Sequence, residues 1–123
     1  MNMKRTQVLI VDDQEGVREL LLETCFLLGY EAMAVNSGLE ALDLVQKHDF
    51  QIVLVDMKMP GLNGLRTTER LLATEKNLNI IVMSGFCECE SEIEEIYSHL
   101  NVAAVMKKPF NLEELKSILD KIS

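Results

Sequence analysis

The stretch Val8-Leu9-Ile10-Val11-Asp12-Asp13 is a short, apolar and largely β-branched run that ends in two carboxylates. Two later stretches have the same form: Ile52 to Val55 is followed by Asp56, and Ile80 to Met83 is followed by Ser84. Uninterrupted apolar runs of this length suit strands that are buried on both faces of a parallel sheet. Two weaker strand candidates are Glu31 to Val35 and Val102 to Met106.

Helical patterns separate these strand candidates. Apolar residues at i, i+3, i+4 and i+7 mark the first predicted helix, which should end at Gly29, and the fourth. Ser37 and Asn111 each precede a glutamate by three residues, the spacing of an N-cap, and so mark the starts of the second and fifth helices. The markers are Val17, Leu20, Leu21, Thr24 and Leu28 in the first helix, Leu65, Leu71 and Leu72 in the third, and Ile93, Ile96, Tyr97 and Leu100 in the fourth.

Five strand-helix units in succession predict an α/β fold of the flavodoxin-like, doubly wound (βα)5 type, with a parallel five-stranded sheet. We expect the strand order 2-1-3-4-5. In this class the ligand site lies beyond the carboxyl ends of the strands, near the switch point between strands one and three. The chain of 123 residues, 48% of them hydrophobic, has no linker or repeat, so we expect one domain over residues 1–123.

Composition excludes several classes of function. The net charge of −8 argues against binding to nucleic acid or to an anionic membrane surface. No apolar run of membrane-spanning length and no secretory signal is present, so we expect a cytoplasmic protein. Cys25, Cys87 and Cys89 form no disulfide framework and match no zinc pattern with the two histidines, which favours reduced thiols without a metal role.

Reactive side chains follow the strand candidates. Asp12 and Asp13 follow the first strand, Asp56 the third, Ser84 the fourth and Lys108 the fifth. One aspartate at a strand end is commonly a turn or helix cap, but three with a hydroxyl and a lysine at one edge favour a reactive site. Three converging carboxylates repel one another without a cation, and hard oxygen ligands favour Mg2+, although Mn2+ or Ca2+ could occupy the same site.

The combination indicates phosphoryl transfer. A carboxylate beside a divalent cation can attack phosphorus in line and form an aspartyl phosphate. We therefore predict Asp56 as the phosphoacceptor, with Asp12 and Asp13 holding the metal. Lys108 should pair with the transferred phosphoryl group, and the Ser84 hydroxyl should donate a hydrogen bond to one of its oxygens.

In order and spacing these residues resemble the response-regulator receivers of bacterial two-component systems, over essentially the whole chain. The resemblance rests on Asp12-Asp13, Asp56-Met57-Lys58-Met59-Pro60-Gly61, Ser84 and Lys108-Pro109-Phe110. It implies phosphorylation of Asp56 from a phosphohistidine. It also implies metal binding by Asp13, Asp56 and the backbone carbonyl of Lys58, with Asp12 acting mostly through water.

Residues 8–21, VLIVDDQEGVRELL, and 56–64, DMKMPGLNG, are similar to the single-domain phosphorelay members of this family that act in sporulation initiation. This resemblance implies a sensor histidine kinase upstream and a histidine phosphotransferase downstream. An aspartyl-phosphate phosphatase is compatible with it as a further partner. The activity would be His to Asp to His transfer, which is not conventional multiple-turnover catalysis. The docking surface that it implies comprises Gln14, Val17, Leu21, Phe86, Pro109 and Phe110.

The chain departs from the family pattern at two positions. Val105 stands three residues before Lys108, where receivers often carry an aromatic switch residue. Ser84 stands where threonine is usual in the relay members. The stretch between Ser84 and Lys108 is two residues longer than in those members, with the extra length in the acidic segment around Cys87 to Glu90.

Other functions fit the sequence less well. A receiver that acts by phosphorylation-dependent docking, as in chemotaxis, is the main alternative, because no output domain is expected after the fifth helix. A flavin or phosphate module would need a loop rich in Ser, Thr and Gly where residues 12–16 read DDQEG. A phosphatase often has a second aspartate where Lys58 stands, and a non-catalytic scaffold would not need every catalytic-type residue.

Overall fold

The computed structural model describes residues 7–57, 64–74, 76–84, 101–107 and 111–122. The strands in these ranges are β1 (Gln7–Val11), β2 (Glu31–Val35), β3 (Ile52–Asp56), β4 (Asn79–Ser84) and β5 (Ala104–Lys107). The helices are α1 (Glu15–Leu27), α2 (Gly38–Lys47), α3 (Gly64–Leu72) and α4 (Leu112–Ile122). The predicted fourth helix, with its markers Ile93 to Leu100, lies outside the described residues.

All strand pairs are parallel and the sheet order is β2-β1-β3-β4-β5, which confirms the predicted topology. The three apolar runs of the prediction form the centre of β1, β3 and β4, and each of their side chains is 0% exposed. Only β5 begins later than predicted, at Ala104, and Val102 packs against the core as a partly buried residue before the strand.

Alternate strand residues supply two separate cores, one on each face of the sheet. Helices α2 and α3 cover one face, where their contributions are Ala41, Val45 and Leu71. Helices α1 and α4 cover the other face, where their contributions are Leu21, Cys25, Leu115 and Leu119. Helices on both faces bury the central strands completely, which explains their uninterrupted apolar sequence.

The predicted helix boundaries rest on specific hydrogen bonds. The amide of Glu40 donates to Ser37 Oγ at 3.2 Å, and the amide of Glu114 donates to Asn111 Oδ1 at 2.8 Å. Both predicted N-caps are therefore confirmed. After α1, Gly29 has a φ of +90°, a left-handed conformation that glycine adopts without steric cost.

One marker of the first helix was wrong. Leu20 is 60% exposed, whereas Leu21 is 1% exposed and Cys25 is 0% exposed. Successive helical residues point about 100° apart, so of two adjacent leucines only one can face the sheet. Cys25 occupies the core position that the pattern did not assign, and burial raises the pKa of its thiol to about 11. Cys87 and Cys89 lie outside the described residues.

The described helices are also short. The longest, α1, has 13 residues, whereas a membrane-spanning helix needs about 20. None of the helices in the described ranges could therefore cross a bilayer.

Candidate functional site

The candidate site lies at the carboxyl edge of the sheet. Asp12 directly follows β1, Asp56 is the last residue of β3, and Ser84 is the last residue of β4. The parallel register pairs Asp56 with Met83 of β4, and Ser84 with Lys107 of β5. Because parallel strands end at the same edge, the predicted residues come together by topology and not by proximity in sequence.

The three aspartates form one acidic group. One carboxylate oxygen from each of Asp12, Asp13 and Asp56 lies within 4.8 Å of the other two. Asp12 is 0% exposed and Asp56 is 5% exposed, whereas Asp13 faces solvent. At an effective dielectric constant of about 20, two charges at this separation repel by roughly 3 kcal/mol. The group therefore favours a compensating cation that enters from the side of Asp13.

Backbone groups hold Asp12 in place. Its Oδ1 accepts a hydrogen bond from the amide of Gln14 at 2.9 Å, and its own amide donates to the carbonyl of Val35 at 3.2 Å. Arg18 Nη1 donates to the Asp12 carbonyl at 2.8 Å, which joins the first turns of α1 to the end of β1. This role of Arg18 could not be predicted from the sequence, because a contact with a backbone carbonyl leaves no mark in a residue pattern.

Asp56 is fixed by a close approach of the backbone at Gly64. The Gly64 amide donates to the carbonyl of Met57 at 3.1 Å. A Cβ atom at Gly64 would collide with the Asp56 carbonyl oxygen and would lie 2.5 Å from the Met57 Cα. Only glycine fits there. This role of Gly64 was not predicted from the sequence, although a glycine just before the apolar markers of the third helix was a usable signal.

Of the other predicted site residues, Ser84 lies in the described part of the chain and the two lysines do not. Ser84 is buried, and its Oγ donates to the Met106 carbonyl at 3.4 Å. Val105 of β5 is 41% exposed at the position where receivers often carry an aromatic residue. Lys58 and Lys108, predicted to bind metal and phosphoryl group, lie outside the described residues.

The predicted docking surface needs one correction. Gln14 is exposed and Val17 is half-buried near the start of α1. Leu21 is 1% exposed and belongs to the core, so its side chain cannot meet a partner. The neighbouring Leu20, which is 60% exposed, offers an apolar side chain on the outer surface of the same helix. The remaining predicted docking residues, Phe86, Pro109 and Phe110, lie outside the described part of the chain.

Comparison with known proteins identifies the family. The sequence of this chain matches the family model of the response regulator receiver domain over residues 8–120. The chain belongs to this family. It is the receiver domain of a response regulator in two-component signalling, and a receiver implies an upstream kinase and a downstream partner.

Curated relatives of this receiver include a protein matched along nearly its whole length and longer proteins matched over less than half of theirs. Sporulation initiation phosphotransferase F of Bacillus subtilis (strain 168) is 34% identical over 119 residues, which are 97% of this chain and 94% of that protein. Regulatory protein AtoC of Escherichia coli (strain K12) is 30% identical over 94% of this chain, but the match spans only 24% of AtoC. Response regulator MprA of Mycobacterium sp. (strain KMS) is 34% identical, over 89% of this chain and 46% of its own length.

Solved receiver structures have the same architecture. Chemotaxis protein CheY4 of Vibrio cholerae superposes with a TM-score of 0.90 at 25% identity, and the match covers 98% of this chain and 100% of that one. A CheY-like receiver domain from Methylobacillus flagellatus superposes with a TM-score of 0.88 at 28% identity and the same coverage.

The acidic group of this receiver suits a divalent metal ion. Receiver domains generally use Mg2+ at an acidic pocket. The three grouped donors are hard carboxylate oxygens, and the exposed position of Asp13 leaves an open side for water and phosphate oxygens. Mg2+ prefers hard oxygen ligands of this kind and keeps several of its own waters.

We predict that Asp13→Asn removes most of the stabilisation that Mg2+ gives the folded receiver. At ten times its dissociation constant, Mg2+ should raise the free energy of unfolding of the natural protein by about 1.4 kcal/mol. In EDTA the variant should be at least as stable as the natural protein, because one of three mutually repelling charges is gone. Urea unfolding with Mg2+ and with EDTA measures both effects.

The matched control is Glu23→Gln, which removes an exposed carboxylate from α1 outside the acidic group. It should keep the full response to Mg2+. If Asp13→Asn gained as much stability from Mg2+ as the natural protein, the proposed metal site would be wrong.

Two glycines permit a second matched comparison. Gly64→Ala should lower the free energy of unfolding by about 1–3 kcal/mol, because the new methyl group meets rigid backbone, and should slow phosphorylation by a small phosphoryl donor. At Gly16 of α1, a Cβ atom would meet nothing within 4 Å. Gly16→Ala should therefore cause no loss of stability and a gain of up to about 1 kcal/mol. Urea unfolding of both variants measures the two changes in the free energy of unfolding. Equal changes would contradict the tight contact between Gly64 and the backbone of Asp56 and Met57.

Proposed function

We propose that this receiver accepts a phosphoryl group from a phosphohistidine onto Asp56 and passes it to a histidine phosphotransferase. The observation that carries the proposal is the acidic group of Asp12, Asp13 and Asp56 at the carboxyl edge of the sheet. Asp56 is the member at the end of the central strand β3, where the backbone contacts of Gly64 restrict its movement. Such restriction favours an in-line attack, which depends on accurate placement of the nucleophile.

In the proposed transfer, a carboxylate oxygen of Asp56 forms a bond to phosphorus while the bond between phosphorus and the donor imidazole nitrogen breaks. The electron pair of that bond returns to the imidazole, which is protonated at its other nitrogen. The product is an acyl phosphate on Asp56, and onward transfer to a second histidine is the reverse reaction. The transfer needs no external oxidant, reductant or hydrolysing water.

The proposed ligands of Mg2+ are the carboxylates of Asp12, Asp13 and Asp56 and the backbone carbonyl of Lys58. When bound, Mg2+ supplies positive charge that offsets the charge of the phosphoryl oxygens and of the aspartates. We propose that Lys108 pairs with the phosphoryl group. Ser84 would exchange its long hydrogen bond to the Met106 carbonyl for one to a phosphoryl oxygen.

The similarity to the sporulation phosphotransferase supports a relay role. This chain matches 94% of that relative's length, and we propose that residues 1–123 form a single receiver domain. We also propose a role in sporulation initiation, in the cytoplasm, with a sensor histidine kinase upstream and an aspartyl-phosphate phosphatase as an additional partner. The net charge of −8 supports protein partners over nucleic acid or membrane.

A second candidate function is phosphorylation-dependent docking to a target protein. The high TM-score to chemotaxis protein CheY4 supports it, because the match covers 100% of that chain. The two functions share the chemistry at Asp56. They differ in whether the phosphoryl group moves on to a histidine.

The test of the phosphoacceptor is intact mass after incubation with phosphoramidate, in Mg2+ and in EDTA. We expect one added phosphoryl group on the natural protein in Mg2+, little in EDTA, and none on Asp56→Asn, whose amide cannot form the acyl phosphate. Unchanged labelling of Asp56→Asn would place the acceptor elsewhere. No adduct on the natural protein under any condition would leave only the scaffold function.

The relay proposal makes a separate prediction about α1. Leu20→Ala should slow phosphoryl exchange with a histidine phosphotransferase domain from the same host, while labelling by phosphoramidate stays unchanged. The control is Leu27→Ala, which removes an equally apolar side chain, 70% exposed, two turns farther from Asp12. Radiolabel transfer measures the exchange. If the phosphorylated natural protein transfers to no such domain, the docking function replaces the relay.

A further inference from the structure

Two buried threonines in α3 have no role in the site described so far. Among the described residues the buried polar or charged side chains are Asp12, Asp56, Thr67, Thr68 and Ser84. Three of these belong to the candidate site. Thr67 and Thr68 are also 0% exposed, although threonine is a weaker helix former than leucine and a buried hydroxyl needs a hydrogen-bond partner.

The hydroxyl of Thr68 bonds to the residue that contacts Asp56. Thr68 Oγ1 donates to the carbonyl of Gly64 at 2.7 Å. Gly64 in turn donates its amide to the Met57 carbonyl and packs its Cα against the Asp56 carbonyl. A continuous chain of contacts therefore runs from the Thr68 side chain through Gly64 to the backbone of Asp56.

We propose that Thr68 is a positioning residue for phosphoryl transfer, acting on Asp56 through Gly64. The proposal rests on the phosphoacceptor role of Asp56 put forward above. A valine would fill the same space in this apolar layer, where Leu71 is buried and Leu65 is partly buried. Packing alone therefore does not explain why a hydroxyl is present at position 68. The contact that the hydroxyl makes and a valine could not make is the hydrogen bond to the Gly64 carbonyl.

The physical need for this bond comes from the residue at the start of α3. Glycine loses more conformational freedom in a helix than any other residue, so a helix that begins with glycine has a weakly held first turn. The Thr68 hydroxyl gives the Gly64 carbonyl a second hydrogen-bond donor, in addition to the backbone hydrogen bonding of the helix. Holding that carbonyl fixes the orientation of Gly64, and with it the surface against which Asp56 rests. A reacting group that drifts by a fraction of an ångström loses rate steeply.

Three variants test the proposal. Thr68→Val keeps the shape and removes the hydroxyl, and Thr68→Ser restores the hydroxyl. The control is Thr74→Val, because Thr74 Oγ1 donates to the Leu71 carbonyl at 2.7 Å, a bond of the same kind beyond the C-terminal end of α3. The rate of phosphoramidate labelling in saturating Mg2+, followed by intact mass, is measured beside urea unfolding for each protein.

We expect Thr68→Val to lower the labelling rate about 3- to 10-fold. Thr68→Ser should stay within about twofold of the natural rate, and Thr74→Val should label at the natural rate even if its stability falls. A natural rate in Thr68→Val would overturn the proposal, and so would equal slowing in Thr74→Val, since a general weakening of α3 would then explain both. Absence of labelling in the natural protein would instead refute the proposed phosphoacceptor role of Asp56. Because the natural protein is measured first, that failure is distinguished from a failure of the Thr68 proposal.

Discussion

Parallel pairing of β1, β3 and β4 is the constraint on which the rest of this receiver depends. It forces three strands to end at one edge, and so brings Asp12, Asp13 and Asp56 within 4.8 Å of one another against their mutual repulsion. The apolar runs that precede them are fully buried, and each Val, Leu or Ile contributes about 1.5–3 kcal/mol on burial. Each of the three aspartate pairs at the edge repels by roughly 3 kcal/mol, so the repulsion is matched by the burial of about three to six core side chains. The sheet can hold a destabilised site because its centre is uniformly apolar.

The site is held mainly through the backbone. Arg18 binds the carbonyl of Asp12, the amide of Gln14 binds its carboxylate, and Gly64 packs against the peptide that follows Asp56. These contacts restrict the movement of the strand ends that carry Asp12 and Asp56. Of the three aspartates, the two at the ends of β1 and β3 are buried and only Asp13 faces solvent.

The sequence predicted the features that depend on side-chain chemistry or on regular spacing. The strand order followed from five alternating units, and the Ser37 and Asn111 caps followed from a glutamate three residues on. Helix α1 was harder, because Leu20, Leu21 and Leu22 are consecutive and periodicity alone does not choose which one faces the sheet. The family resemblance assigns Leu21 to the docking surface, although it lies in the core.

The residues that sequence reasoning missed at the site act on backbone atoms. Arg18 binds one carbonyl, Thr68 binds another, and Gly64 matters for the side chain that it lacks. A pattern of residue types records which groups can react, but it does not record which peptide units touch in the folded chain. In the sequence, Thr68 looks like any other helix residue. Only its complete burial beside Gly64 in the folded chain distinguishes it from an exposed helical threonine.

Helix α1 connects the chemistry of this receiver to its outer surface. Its first turns hold Asp12 through Arg18 and Gln14, while Leu20 on the same helix is 60% exposed. An exposed apolar side chain on a chain of net charge −8 favours contact with an apolar face that carries few negative charges. A partner that binds α1 would press on the helix that fixes one wall of the acidic group. In the proposed transfer, partner recognition and the reaction at Asp56 would therefore share this structural element.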